Sequence, residues 1–254
     1  MPAQHSKRDV TSAKTARGAR QNAAPRNAIL AALPAQEYHL LAPHLTPVPL
    51  TAGQTLYEPN RPVSFGYFPT RGLVCMLAGM HDGATVEVGM MGIDGFVGIA
   101  ILLAVHGTPL PVTVEIPGSA LRIEADRMHR LLPRTPNLDL LLRRFVQQQL
   151  TQVAQCAACN SLHSVRERVA RWLLMAHSRA ATHPLPVTHD SLARMLGCRR
   201  PSITTALRSL CNDRFIECGR GHIDIVSRPA LETATCECYA VIDSSPQLAS
   251  ATVR

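Results

Sequence analysis

Apolar and polar positions along this chain fall into three regimes. From about Leu30 to Leu132 the apolar residues come in short stretches broken by turn residues: TAGQTLYEPNRP, SFGYFPTRG, LVCMLAGMHDG, TVEVGMMGIDG and VTVEIPGSALRI. Runs of that length, punctuated by Gly, Pro, Asn and Asp, predict many short strands in a sandwich or jelly-roll barrel. Asp82-Gly83 is expected to form a two-residue hairpin turn, because glycine tolerates the positive φ that such turns demand.

At Thr135-Pro136 the period changes. Threonine can cap a helix, proline fits its first position, and no Gly or Pro interrupts the chain from Asn137 to Asn160. Leu138, Leu142, Val146, Leu150, Val153 and Ala157 recur at steps of three or four, forming one apolar stripe on a helix of about 24 residues, or about 36 Å. Gln147, Gln148, Gln149, Gln152 and Gln155 take much of the remaining surface. The stripe is therefore narrow, as on a helix paired with its own copy across a two-fold axis; packing on the chain's own barrel is the alternative. Ser164-x-x-Glu167 is a capping box that restarts a helix, with Val165, Val169, Trp172 and Leu173 on one face and Pro184 and Pro186 beyond its end.

In the third regime, Thr188 can cap a short helix to Leu196 whose apolar positions are Leu192, Ala193 and Leu196. Gly197 can end it sharply in the left-handed conformation. The apolar set resumes at Cys198, Ile203, Ala206, Leu207 and Leu210. Small Ala193 leaves room for a close crossing, so the spacing predicts a helix-turn-helix. The opposite side of the second helix shows Arg199, Arg200, Pro201, Ser202, Thr204, Thr205 and Arg208. A helix entering the major groove needs little bulk at base edges, N-terminal amides near phosphate, and arginine for guanine. Arg200, Ser202, Thr205 and Arg208 are expected to face bases, with Thr188 and Arg199 nearer phosphates. RFIECGRGHIDIV reads as strand, tight turn, strand: a wing with Gly219 and Gly221 flanking Arg220, which can reach phosphate.

Charge supports that division. The 254 residues carry a formal net charge of +8, with 26 Lys+Arg against 18 Asp+Glu. Residues 28–134 hold six Arg and eight acids, whereas 194–214 hold five Arg against Asp213 alone. A polyanionic partner is thus expected at the C-terminal segment and not at the barrel. Residues 1–27 have six Lys/Arg, one acid and little to bury, as in a disordered tail; an organellar transit peptide has a similar composition. The longest apolar run, Phe96 to Val105, is about half of what a membrane span requires. With no apolar stretch after the basic N-terminus, no secretory signal is expected, and the protein is expected in the cytoplasm without a membrane partner.

The 8 cysteines are then expected as reduced thiols. Cys156-x-x-Cys159 has metal-ligand spacing but lies on the long helix, where small residues in a seam suffice as an explanation. Cys236 and Cys238 are expected to be exposed enough to sense oxidants or bind metal, although two ligands so spaced make a poor chelate alone. Neither a metal centre nor a cofactor is therefore expected. The roll's histidines, His39, His44, His81, His106 and His129, include no His-x-His pair of the cupin kind, and no P-loop, Rossmann glycine pattern or nucleophile elbow is present. A non-enzyme is expected. The alternative is a redox- or metal-responsive switch built on the cysteines.

Taken with TAGQTLYEPNRPVSFGYFPTRGLV, TVEVGMMGIDGFVG, LARMLGCRRPSITTALRSL and GRGHIDIVSRPALE, the chain from about 40 to 235 resembles the Crp/Fnr family of bacterial transcription regulators. The resemblance implies an α+β fold with an N-terminal jelly-roll β-barrel, a long dimerisation helix and a C-terminal winged helix-turn-helix. It divides the chain into a tail (1–27), a cyclic-nucleotide-binding-like sensory roll (28–134), a dimerisation helix (135–161), a DNA-binding domain (162–235) and a C-terminal tail (236–254). It also implies a homodimer on a pseudo-palindromic operator, with double-stranded DNA, RNA polymerase and a small-molecule effector as partners. Two positions depart from the family. Its usual Arg-Glu pair and later Arg in the recognition helix match Arg200, Pro201 and Thr205 here, so the operator is expected to differ. Its cyclic-nucleotide site uses a Gly-Glu-Leu turn and a downstream Arg; GFVGIA and PLPVTVEI contain neither the acid nor the arginine, and cyclic AMP is not expected as effector.

Overall fold

The computed structural model describes residues 26–243; most of the expected basic tail and the end of the C-terminal tail lie outside the described residues. The fold is α+β. Five strands, β1 (Thr46–Leu50), β2 (Thr55–Tyr57), β3 (Phe65–Gly79), β4 (Thr85–Met91) and β5 (Val112–Glu124), pair antiparallel in the order β1-β5-β3-β4, with β2 also on β5. Two long strands replace several of the expected short ones. SFGYFPTRG and LVCMLAG belong to one 15-residue strand, β3, opposite the 13-residue β5. Gly72 (φ +88°) lets β3 bend, and a Cβ there would sit 2.6 Å from the Ile116 carbonyl oxygen. The β3–β4 connection spans 80–84 and not two residues: Met80 N–H donates to Ala84 O (2.8 Å), and Gly83 takes the positive φ.

One face of the sheet closes over a core of Phe68, Phe96, Ile123, Met128 and their neighbours, capped by α1 (Ala28–Ala31), α2 (Ala35–Leu41), α3 (Ile99–Leu102) and α4 (Ala125–Leu131). The long helix α5 (Pro136–Leu162) follows. Thr135 does not cap it, since its hydroxyl donates to Leu131 O at 2.9 Å. The cap is the carboxylate of buried Glu37, which accepts from the backbone N–H of Asn137 (3.1 Å) and of Leu138 (3.0 Å). A negative group at that end also complements the helix dipole.

The predicted α5 stripe divides. Leu138 and Leu142 are fully buried in the roll's own core, beside Leu141 and Phe145, which corrects their assignment to a dimer seam. Roughly 100° per residue carries the stripe slowly around the helix, so its later members leave the roll. Val146 and Val153 are half-buried, Ala157 is exposed and Leu150 is 60% exposed.

The other sheet face is covered too. α6 (Val165–Ala180) lies on it, and Leu73, Cys75, Met90 and Ile116 join Val169, Trp172, Leu173 and Ala176 in one core. Val74 and Met91 point to the opposite core, so alternate residues of each strand serve different layers. Within the α6–sheet contact Trp172 Nε1–H donates to the Glu87 carboxylate (2.6 Å), and Arg179 pairs with Asp94 (2.9 Å) while donating to Met90 O (3.1 Å). Burial holds the Glu87 carboxyl above the usual range, against the Trp172 hydrogen bond and the charges of Arg171 and Arg179.

Trp172→Phe removes the donor and leaves a buried carboxylate oxygen short of a partner, so chemical denaturation is expected to show a loss of about 1–3 kcal/mol. Because the folded carboxyl is raised above its unfolded value, Glu87's contribution is present below the unfolded value and lost as pH rises through the folded one. Glu87→Gln keeps an acceptor for Trp172; thermal melts across that range are expected to be flatter with pH than those of the unaltered protein.

Candidate nucleic-acid interface

After α6 the chain forms α7 (His189–Leu196), α8 (Arg200–Asn212), a hairpin of β6 (Ile216–Gly219) and β7 (His222–Ile225), then α9 (Arg228–Thr233) and α10 (Glu237–Asp243). Thr188 caps α7 by accepting from the Ser191 N–H (3.1 Å), and Ser191 returns the bond to the Thr188 N–H (3.0 Å). Gly197 ends α7 at φ +59°, and Cys198 N–H reaches back to Ala193 O at 2.9 Å. This left-handed turn reverses the chain within a few residues. Leu192, Met195 and Leu196 of α7 then meet Ile203, Ala206, Leu207 and Leu210 of α8 against α6, all buried. Arg166 of α6 fixes the far end of α8 through Ser209 (3.1 Å) and Asp213 (2.6 Å).

Anchoring that edge turns the other side of α8 outward. Arg199, Arg200, Pro201, Ser202, Thr205 and Arg208 are all exposed. Arg199 occupies the N-cap without a side-chain cap, and Pro201 lies in the first turn, where no intrahelical donor is needed. Thr205 bonds back to Pro201 O (3.1 Å). Thr204 departs from expectation. It is half-buried against α7 with its hydroxyl 3.0 Å from His189 Nδ1, because it lies next to the anchored edge and not opposite it.

Arg200 pairs with Asp190 of α7 at 2.8 Å, with both side chains more than half exposed. Exposed ion pairs of this kind are worth only about 0–1 kcal/mol, so the pair orients the guanidinium without holding it. Neither His189 nor Asp190 was expected at this surface; in sequence they read only as the first turn after a cap. The β6–β7 turn places Arg220 at an exposed tip, with Gly221 at φ +77°. A cleft lined by Thr188, Asp190, Arg200, Gly219 and His222 joins the helix-turn-helix to this wing. The turn also leans on the sheet: Arg194 pairs with Glu115 (3.2 Å), and a Cβ at Gly197 would lie 3.3 Å from Val86.

The cysteines sit differently from expectation. Cys236 and Cys238 are buried, because α10 packs on both α5 and α6, taking Cys238, Tyr239 and Ile242 out of water. Cys159 of α5 lies 3.5 Å from Cys236, sulfur to sulfur, and Cys238 Sγ lies 3.5 Å from His163 Nδ1. Burial and the neighbouring Cys159 thiol push Cys236 up to about 12. Cys156 has a different partner, Arg171, at 2.9 Å. The helical Cys-x-x-Cys therefore does not act as a pair.

Residues 167–234 match the family of Crp-like helix-turn-helix domains. No curated protein matches the sequence. Among solved structures, the chain is similar to FixK2 of Bradyrhizobium japonicum (TM-score 0.65, 16% identity, 76% of this chain and 98% of that one). It is also similar to CLP of Xanthomonas campestris, a c-di-GMP-responsive global regulator (0.61, 17%, 76% and 100%), and to a CRP/FNR-family regulator of Thermus thermophilus (0.59, 20%, 74% and 97%). These findings define the class: a chain that carries a Crp-like helix-turn-helix domain and shares the fold of Crp/Fnr-family structures. Its C-terminal unit is a Crp-like helix-turn-helix domain, and its N-terminal roll has the cyclic-nucleotide-binding-like fold. Among the described residues, no helix is long and apolar enough to cross a membrane.

Proposed function

We propose that this protein is a homodimeric, sequence-specific DNA-binding regulator that places α8 of each copy in the major groove of a pseudo-palindromic operator. The observation that carries the reading is the split surface of α8: aliphatic residues buried on one edge, and exposed Arg200, Ser202, Thr205 and Arg208 on the other. Arg200 reads guanine, while Thr188, Arg199 and Arg220 contact phosphates. Pro201 keeps the entry of the helix slim. In duplex DNA, contact with a base or phosphate replaces the weak Arg200–Asp190 pair.

The second copy is taken up by the later part of the α5 stripe, Val146, Leu150, Val153 and Ala157, continued by exposed Leu162. An apolar strip left in water beside an otherwise Gln-rich helix gains most by pairing with itself. The effector of the roll is not cyclic AMP, since a buried cyclic phosphate would find no arginine to neutralise it. RNA polymerase is the expected downstream partner.

Electrophoretic mobility shift with a selected operator tests the groove assignment. Arg200→Ala is expected to weaken specific binding by roughly 1–3 kcal/mol and relax one base position, whereas Arg220→Ala weakens all sequences alike and lowers the salt slope by about one. Unchanged affinity in a folded Arg200→Ala protein contradicts the assignment. Sedimentation of Leu150→Glu is expected to show monomer where the unaltered protein is dimeric, with a loss of roughly 1.5–3 kcal/mol per copy. An intact dimer would place the seam elsewhere.

A further inference from the structure

Four side chains from two distant segments converge at the lower end of α5. Cys159 and His163 lie one helical turn apart at its C-terminus, and Cys236 and Cys238 flank the start of α10. Their ligand atoms, three sulfurs and one imidazole nitrogen, all lie within 4.8 Å of one another, and the three cysteines are buried. We propose that these residues form a Cys3His site for a single zinc-class divalent cation, which clamps the C-terminal helix α10 onto the end of the long helix. The inference rests on this geometry and not on the reading of α8.

Two edges of the group match a ligand sphere and not a disulfide. With metal–sulfur bonds of about 2.3 Å and metal–nitrogen bonds of about 2.0–2.1 Å, a tetrahedron has edges of roughly 3.8 Å between sulfurs and roughly 3.6 Å from sulfur to nitrogen. Cys159 and Cys236 stand at 3.5 Å, and Cys238 and His163 Nδ1 also at 3.5 Å. A disulfide needs about 2.05 Å. The surroundings fit as well. Glu237 Oε1 lies 3.4 Å from His163 Nε2, so a carboxylate takes the outer ring nitrogen and turns Nδ1 toward the sulfurs. Gln155 Nε2 donates to Cys238 Sγ at 3.1 Å. Such partners orient the ligands.

Binding exchanges three S–H protons for three metal–sulfur bonds, the protons passing to solvent, and uses the neutral imidazole unchanged. There is no redox step. The sequence hid the site because Cys159-x-x-x-His163 and Cys236-x-Cys238 are each a half-set; only the fold-back of α10 completes them. The clamp spans the break between α5 and α6 at residues 163–164, joining the end of the long helix to the segment that follows the DNA-binding unit.

The test uses the full chain purified with a phosphine reductant and no added metal. Elemental analysis is expected to find about one zinc per chain, and the apo protein titrated with Co(II) to develop tetrahedral d–d bands with a thiolate charge-transfer band. The Cys236→Ser/Cys238→Ser double variant is expected to lose both signals, while Cys211→Ser/Cys218→Ser, at a separate pair on α8 and β6 whose sulfurs lie 2.9 Å apart, keeps them. His163→Cys is expected to retain binding with a shifted Co(II) spectrum, and Glu237→Ala to weaken zinc affinity roughly tenfold. Absence of metal together with no tetrahedral Co(II) spectrum in the unaltered chain overturns the proposal. So does binding that survives the Cys236→Ser/Cys238→Ser exchange, or a Cys159–Cys236 disulfide in the reduced protein. None of these readouts involves DNA, so they stand or fall apart from the operator-binding reading.

Discussion

Burial of one edge of α8 is the constraint from which the functional surface follows. Ile203, Ala206, Leu207 and Leu210 gain by leaving water only if α8 lies against α6 and α7, and that contact allows a single rotation of the helix about its axis. At that rotation the arginines and small hydroxyl residues face outward. The left-handed turn at Gly197 sets the crossing of α7 and α8, and Arg166 holds the far end. The exposed face of α8 is therefore set by aliphatic packing as much as by its own polar side chains.

A second consequence concerns communication. The sheet is buried on both faces, one toward the interior of the roll and the other toward α6, so alternate side chains of the same strands pack into the roll and against the helix-turn-helix unit. Leu73, Cys75, Met90 and Ile116 belong to strands that also line the roll, and Glu87 accepts from Trp172 across the contact. Arg194 and Glu115 add an ion pair beside the turn. Any displacement of β4 would bear directly on α6 and on Gly197, with no linker between them to absorb it. Packed cores respond to such pushes by switching between discrete arrangements.

Much of this was legible in the chain. The capping box at Ser164, the cap at Thr188, the glycine at 197 and the spacing of apolar residues in α8 are local signals, and local geometry reproduces them. Other features depend on contacts distant in sequence. Glu37 caps a helix about a hundred residues away, Leu138 and Leu142 are drawn into the roll, and Thr204 finds His189 across the turn. LVCML contained a trace of the two-sided burial, since a strand covered on both faces reads as a continuous apolar run. Cys236 and Cys238 looked exposed because nothing in their own segment reveals that α10 folds back on α5.

Whether two copies of α8 read a symmetric site can be asked by selecting bound sequences from random duplex DNA. The expected outcome is an inverted repeat whose half-sites are centred about one helical turn, roughly 34 Å, apart, with a guanine at an equivalent position in each half. Recovery of sequences with no common motif, or of a single asymmetric half, would refute the paired-helix reading.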